Sequence, residues 1–150
     1  MIYGYLKHVF LTTNQYESIL QIKNNLKSNE VFIVIDFSQN YMGKYHKEVQ
    51  GTHYGASKKQ ISLQTGLVYF KNADGIIEHI SFVTFSDHLD HNAVSAWAYL
   101  LPILENFFEV YPNVDTIHFE SDGPSSQYKN KNNFWLFTYF CNHFNLKNAT

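Results

Sequence analysis

The chain has no arginine, and all eleven of its basic residues are lysines. Nucleic-acid binders usually carry a basic surface with arginine forks that grip phosphate bidentately. With a formal net charge of −2, composition argues against a self-sufficient DNA-binding domain. The abundance of Asn, Lys, Ile, Phe and Tyr also points to an AT-rich gene, which depletes arginine without a functional cause. Cysteine is scarcer still. The single Cys141 excludes an internal disulfide framework and a cysteine-based zinc site, and the default expectation is a reducing, intracellular home. No apolar run approaches the roughly 20 residues needed to cross a bilayer. No basic segment followed by an apolar one opens the chain, so neither a membrane nor a secretory route is expected. Walker and Rossmann glycine patterns are missing, which leaves nucleotide cofactors without support. Ser125 and Ser126 lack the G-x-S-x-G setting of a nucleophile elbow.

What is present is a core. The 150 residues are 45% hydrophobic and 17% aromatic, enough for one ordinary domain. No repeat, linker or low-complexity stretch divides 1–150, so a leading segment 1–29 and a core 30–150 are expected in one unit. Residues 1–13 show no period. From Asn14, a candidate N-cap with Glu17 three residues on, Ile19, Ile22 and Leu26 recur at helical spacing. Val31–Phe37 is a continuous apolar run ending on an acid, the pattern of a strand buried on both faces. Residues 38–58 are polar, with Tyr41, Tyr45, His46 and His53 among lysines and a candidate strand from Glu48 to His53. Gln60–Phe70 and Glu78–Ser86 flank Asn72-Ala73-Asp74-Gly75, a hairpin signal. A helix is expected from Asn92 to Val110, with Pro102 as a local irregularity. A strand follows over Val114–Ser121 and a second aromatic helix over Ser125–Phe144. Two buried strands with crossover material and a meander between them predict an α/β fold: a ribonuclease H-like mixed sheet flanked by helices.

The chemistry sits at strand ends. Asp36 closes the first buried strand and Asp122 the last. If those strands are parallel neighbours, both carboxylates emerge at one edge, close enough to share a metal. Clustered carboxylates bind Mg²⁺ or Mn²⁺ through hard oxygen ligands, and such ions activate water and stabilise the leaving oxygen of a phosphodiester. Taken singly, each aspartate is equally a residue that ends a strand or opens a turn.

The stretches VFIVIDFSQNYMGKYHKEVQGTHYG, SFVTFSDHLDH and IHFESDGPSSQYKNKNNF resemble a transposon-derived family of animal genomes. Its members read as an "IDFAENY" strand, an "SD…H" segment and an "SDG..SQYKNK" turn. That family is similar to the DDE transposases and integrases, and the likeness runs from about Glu30 to about Phe134. It implies metal-dependent cleavage or strand transfer on DNA, with transposon ends as partner, a nuclear location and a possible homo-oligomer. Asp36 matches the first acid of the catalytic set and Asp122 the second. Gln127, Lys129 and Lys131 match the segment near the next helix start, where a helix N-terminus and lysines suit phosphate; a solvated helix face is the plain alternative.

The chain departs from that pattern after Asp122. A DDE enzyme needs a third carboxylate, and no Asp or Glu follows Asp122. The family's Gly-rich "HGK…DG.GG" stretch is not reached before Thr150. The expectation is therefore an incomplete or inactive copy, the alternative to catalysis being a remnant domain that acts through protein or nucleic-acid contacts.

Three further features compete. Asp87-His88-Leu89-Asp90-His91 is dense in metal ligands: His88 and His91 at i,i+3, with His79 on the adjoining strand, would make a zinc module. Asp87 also ends a strand and would join the acidic edge as a metal ligand if that strand neighbours the first. Cys141 lies in an aromatic helix, where cysteines are mostly inert. Trp97, Phe107, Phe108, Phe134, Trp135, Phe137 and Phe140 fall at helical spacing, and core is the expected fate rather than a base-stacking platform.

Overall fold

The apolar run Val31–Ile35 becomes the centre of a sheet. The computed structural model describes residues 2–43 and 58–150; the strand candidate at Glu48–His53, with Tyr45 and His46, lies outside them. Within those residues the order is α1 (Ile2–Asn24), β1 (Glu30–Phe37), β2 (Tyr41–Met42), β3 (Gln60–Lys71), β4 (Ile77–Ser86), α2 (Ala93–Val110), β5 (Thr116–Glu120), α3 (Lys131–His143) and β6 (Asn148–Ala149).

The strands form one six-stranded mixed sheet in which β4, β3, β1, β5 and β6 stand side by side and β2 continues along β3 past the end of β1. β3 runs antiparallel to both β1 and β4. β1 is parallel to β5, and β5 to β6. A meander followed by parallel strands reached through helices is the ribonuclease H-like layout expected above. Parallel neighbours need such crossovers because a tight turn cannot reverse twice.

Both faces of β1 are covered. Val31, Ile33 and Ile35 are buried on one face and Phe32 on the other, as period-2 alternation requires. On the first face α2 and α3 supply Trp97, Leu100, Leu104, Phe107 and Phe140 to a core shared with Val68, Phe70 and Ile117. The Trp97 and Phe140 rings stack at 4.6 Å. Asn92 caps α2 by accepting the Ser95 N–H at 3.0 Å, and the helix runs on through Pro102. On the second face the C-terminal half of α1 borders a cleft with Phe32, His118 and Glu120. The Lys23 ammonium sits 3.7 Å above the Tyr69 ring, an ordinary cation–π distance.

The hairpin forms where expected. Asn72 Oδ1 accepts the N–H groups of Asp74 and Ile76, and Gly75 takes a φ of 77°. Other boundaries moved. α1 starts at Ile2, so Asn14 is not its N-cap; Asn14 Nδ2 instead donates to the Phe10 carbonyl at 2.7 Å. None of α1 is buried, so no packing face imposes a period on residues 2–13. The last helix begins at Lys131 rather than Ser125, because the chain first turns through 124–130. Two-residue β6 was not anticipated. Among the described residues no helix is long and apolar enough to cross a membrane.

Candidate functional site

The site is built from the ends of two parallel strands. Pairing of β1 with β5 runs from Glu30 opposite Thr116 to Val34 opposite Glu120. The pairing ends there; Asp36 lies two residues beyond Val34, still in β1, and Asp122 two residues beyond Glu120, in the loop that leaves β5. Both aspartates are exposed. Gly123 then takes a φ of 77°, a left-handed conformation that glycine adopts without steric cost.

The turn after Asp122 is held from several sides. The Pro124 carbonyl accepts the N–H groups of Gln127, Tyr128 and Lys129 at 3.2, 2.8 and 3.2 Å. Asn130 caps α3 by accepting the Asn133 N–H, while its amide donates to the Ser125 and Ser126 carbonyls. Asn133 donates to the Tyr128 carbonyl at 2.7 Å and accepts the Trp97 indole N–H at 2.6 Å. The segment that carries Asp122 is thereby tied to both α2 and α3. Neither Asn130 nor Asn133 was singled out from sequence, although each sits where asparagine habitually caps a helix or pins a turn.

Gln127, Lys129 and Lys131 lie close to the start of α3, as the resemblance implied. Lys129 and Lys131 are exposed and Gln127 is half-buried. The Lys129 side chain folds over Gly123: a Cβ there would stand 2.6 Å from its Cε and 2.7 Å from its Nζ. That brings an ammonium to the shoulder of Asp122.

Behind the carboxylates the interior turns polar. Gln64 on β3 is 0% exposed and Tyr128 5%. Gln64 Oε1 and Nε2, Tyr128 Oη and Gln127 Oε1 are buried with no hydrogen-bond partner. Burial pushes the Tyr128 phenol well above the ordinary tyrosine range; the nearby Gln64 amide opposes this, and the charges of Asp36 and Asp122 add to it. Gln64 is level with Phe37 and lies on the α2–α3 face, whereas Asp36, level with Thr65, lies on the opposite face; Gln64 and Tyr128 make no hydrogen bond of good geometry to each other. Tyr128 also lines a cavity of about 400 Å³ with Ile35, Ser121 and Lys129, walled by Trp97 and Phe119.

The competing ligands do not converge. Asp87 ends β4, and β4 pairs with β3, not with β1. Asp36 is level with Thr65 on β3, and Thr65 with Val83 on β4, so Asp87 lies two strands away and further along the chain than the Asp36 level. The expected neighbourhood of Asp87 and Asp36 fails because the hairpin inserts β3 between them. His88 and His91 precede α2 instead of sharing a helical face. His91 stacks on Phe37 at 4.3 Å and its Nε2 meets Ser62 Oγ at 2.8 Å. His79 lies beside Tyr69, farther back on β4. Among the described residues no group of three or more His, Cys, Asp or Glu is placed to hold a metal. Cys141 is half-buried, and burial raises its thiol pKa, consistent with an inert thiol. Of the aromatic set, Trp97, Phe107 and Phe140 are buried, whereas Phe134 and Trp135 are exposed on α3, contrary to the expectation of core.

Residues 15–149 match a protein family described as a domain of unknown function, DUF8701. No curated protein matches the chain.

Proposed function

The chain belongs to the DUF8701 family, and we propose that it is a ribonuclease H-like domain of the DDE transposase kind, in which Asp36 and Asp122 hold one Mg²⁺ or Mn²⁺ against the phosphodiester backbone of DNA. The observation that carries this reading is the parallel pairing of β1 with β5, which brings Asp36, near the end of β1, and Asp122, two residues past β5, to the same edge of the sheet. Two carboxylates supply hard oxygen donors suited to Mg²⁺ or Mn²⁺, which keep several waters and rarely need an all-protein cage. The fit extends to one ion. With no third acidic or imidazole ligand converging among the described residues, these side chains do not organise the pair of ions used for in-line displacement. A cation at this edge would polarise a phosphoryl oxygen and lower the pKa of a bound water.

The protein's own residues supply the rest. Lys129, folded over Gly123 at the shoulder of Asp122, and Lys131, the first residue of α3, are exposed cations, and they neutralise phosphates of the bound backbone. Gln127 adds an amide on that turn. The lack of a third convergent acid favours a second reading, in which the domain keeps the fold and the DNA contact without cleaving. Calorimetric titration with Mn²⁺ of the parent, Asp36→Ala and Asp122→Ala tests the site. Saturable binding abolished in both variants supports it, and equal, negligible heats in all three refute it. Nicking of supercoiled plasmid in Mn²⁺ by the parent, absent in both variants, then separates cleavage from contact alone.

A further inference from the structure

The cavity between the sheet and the helix pair is too large to be a packing defect. Voids in protein interiors seldom exceed a water molecule, and an apolar void lowers stability in proportion to its volume. This one measures about 400 Å³, the size of a small-molecule site. Its walls are Ile35 from β1, Phe119 from β5, Trp97 and Leu100 from α2, and Phe137 from α3. Those walls are fixed. Trp97 stacks on Phe140 at 4.6 Å, meets Phe119 edge-on at 5.4 Å and donates its indole N–H to Asn133. Phe137 meets Phe119 edge-on, also at 5.4 Å. Asn133, the amide in the wall, bonds both its ends within the protein. The mouth differs from the walls. Phe134 lines the cavity yet stands 64% exposed, and exposed Lys129 lines it too. Among the described residues one acid borders it, Glu120. Glu120 follows Phe119 on β5, takes the opposite phase and faces the α1 cleft.

We infer that this cavity binds a small planar aromatic acid, its ring against the aromatic walls and its carboxylate at the Lys129 ammonium. Rigid rings set edge-on and stacked favour a flat aromatic body over a flexible aliphatic one. An apolar chamber with one cation at its mouth selects an anionic head over a neutral one. A single lysine suits a singly charged carboxylate better than a dianionic phosphate, which calls for several donors. The exposed Phe134 ring gains a role as well, because a ligand seated at the mouth covers it. The inference does not rest on the cation reading above, since Ile35 and the helices lie on the face of the sheet opposite to Asp36.

The test titrates the full chain, without divalent metal, with 2-naphthoate and with its neutral analogue 2-naphthamide. The readout is the pair of indole N–H signals in proton–nitrogen NMR spectra. The chain has two tryptophans; Trp97 lines the cavity, and Trp135 is exposed on α3 outside it. The expected result is a saturable shift of the Trp97 signal with 2-naphthoate while the Trp135 signal stays in place. Lys129→Met should weaken 2-naphthoate about three-fold, the size of an exposed ion pair, and leave 2-naphthamide unchanged. Ala96→Leu fills the cavity from its α2 wall and should abolish binding of both probes. An unmoved Trp97 signal in the parent overturns the inference, and so does a shift that survives Ala96→Leu. Equal loss of both probes in Lys129→Met, or loss of neither, overturns the assignment of an acid. If Ala96→Leu does not fold, Phe134→Ala at the exposed mouth takes its place. Several-fold weaker binding of both probes then supports the site, and unchanged binding refutes it.

Discussion

The Trp97 indole N–H donates to Asn133 Oδ1 at 2.6 Å, and the Asn133 amide donates in turn to the Tyr128 carbonyl at 2.7 Å. One side chain on α3 therefore satisfies a buried ring on α2 and fixes the turn that carries Asp122. Asn133→Ala leaves the indole N–H and the carbonyl unpaired. Each loss costs about 1–3 kcal/mol, so a decrease of about 3 kcal/mol in unfolding free energy is expected in urea. Trp97 emission should shift at the same time, and an unchanged midpoint would contradict the linkage.

Gly123 is the second fixed point of that turn. Its φ of 77° costs a residue with a side chain about 1–2 kcal/mol, and a Cβ would also displace the Lys129 side chain. Gly123→Ala should lower the melting temperature by about 4 °C in a domain of this size. Gly4→Ala, in open space on α1, should not lower it.

Two carboxylates should give opposite slopes with pH. The Lys147 ammonium at 2.7 Å, with Asn29 and Thr116, holds Asp115 below its ordinary value of 3.8. Its stabilisation is present above the unfolded value and is lost as pH falls through the lower folded one. Glu120 is different: burial raises it above its ordinary 4.5, and Lys23 only partly offsets this. The ionised Glu120 is therefore a cost at neutral pH, and it disappears as pH falls through the raised value. Urea unfolding between about pH 2.5 and 7 should show a flatter acid limb in Asp115→Asn. In Glu120→Gln, stability at neutral pH should rise. Unchanged profiles in both would contradict the assignment.

Lys129 and Lys131 should act through charge alone if they contact phosphate. Each substitution by alanine is expected to weaken binding to DNA of any sequence and to reduce the salt slope by about 0.9. Fluorescence anisotropy across a salt series reads both quantities. A loss confined to one sequence would indicate base recognition instead.

Much of the sheet was legible because its strands are long and apolar and end on punctuation. The apolar run Val31–Ile35 meets an acid at Asp36, Asn72–Gly75 turns, and Asn92 caps, each by local chemistry. Asp36 and Asp122 could be picked out because an acid at the end of an apolar run stands out. Gln64 could not. Along Gln60–Thr65 the polar residues alternate with Ile61 and Leu63, and the usual reading turns Ser62 and Gln64 to solvent. Pairing with β1 sets the opposite phase, placing both inside with Val68 and Phe70. Asp87 misled for a related reason: strand ends are visible in sequence, strand neighbours are not. The late start of α3 was hidden because Ser125 to Asn130 has the polar composition of a helix entry as well as of a turn.

The helix α1, which buries none of its side chains, has a consequence for how unfolding should be followed. Its N-terminal stretch, exposed through residue 18, has no packed face, stands on its own propensity and melts gradually with temperature. Far-ultraviolet circular dichroism would mix that slow fraying with the cooperative collapse of the sheet, and a two-state fit would return an enthalpy that is too small. Trp97, stacked in the core between α2 and α3, reports the cooperative part. Amides near Tyr3 and Tyr5 should exchange with solvent by fraying, long before those of Ile33 and Val68, which need the whole sheet to open.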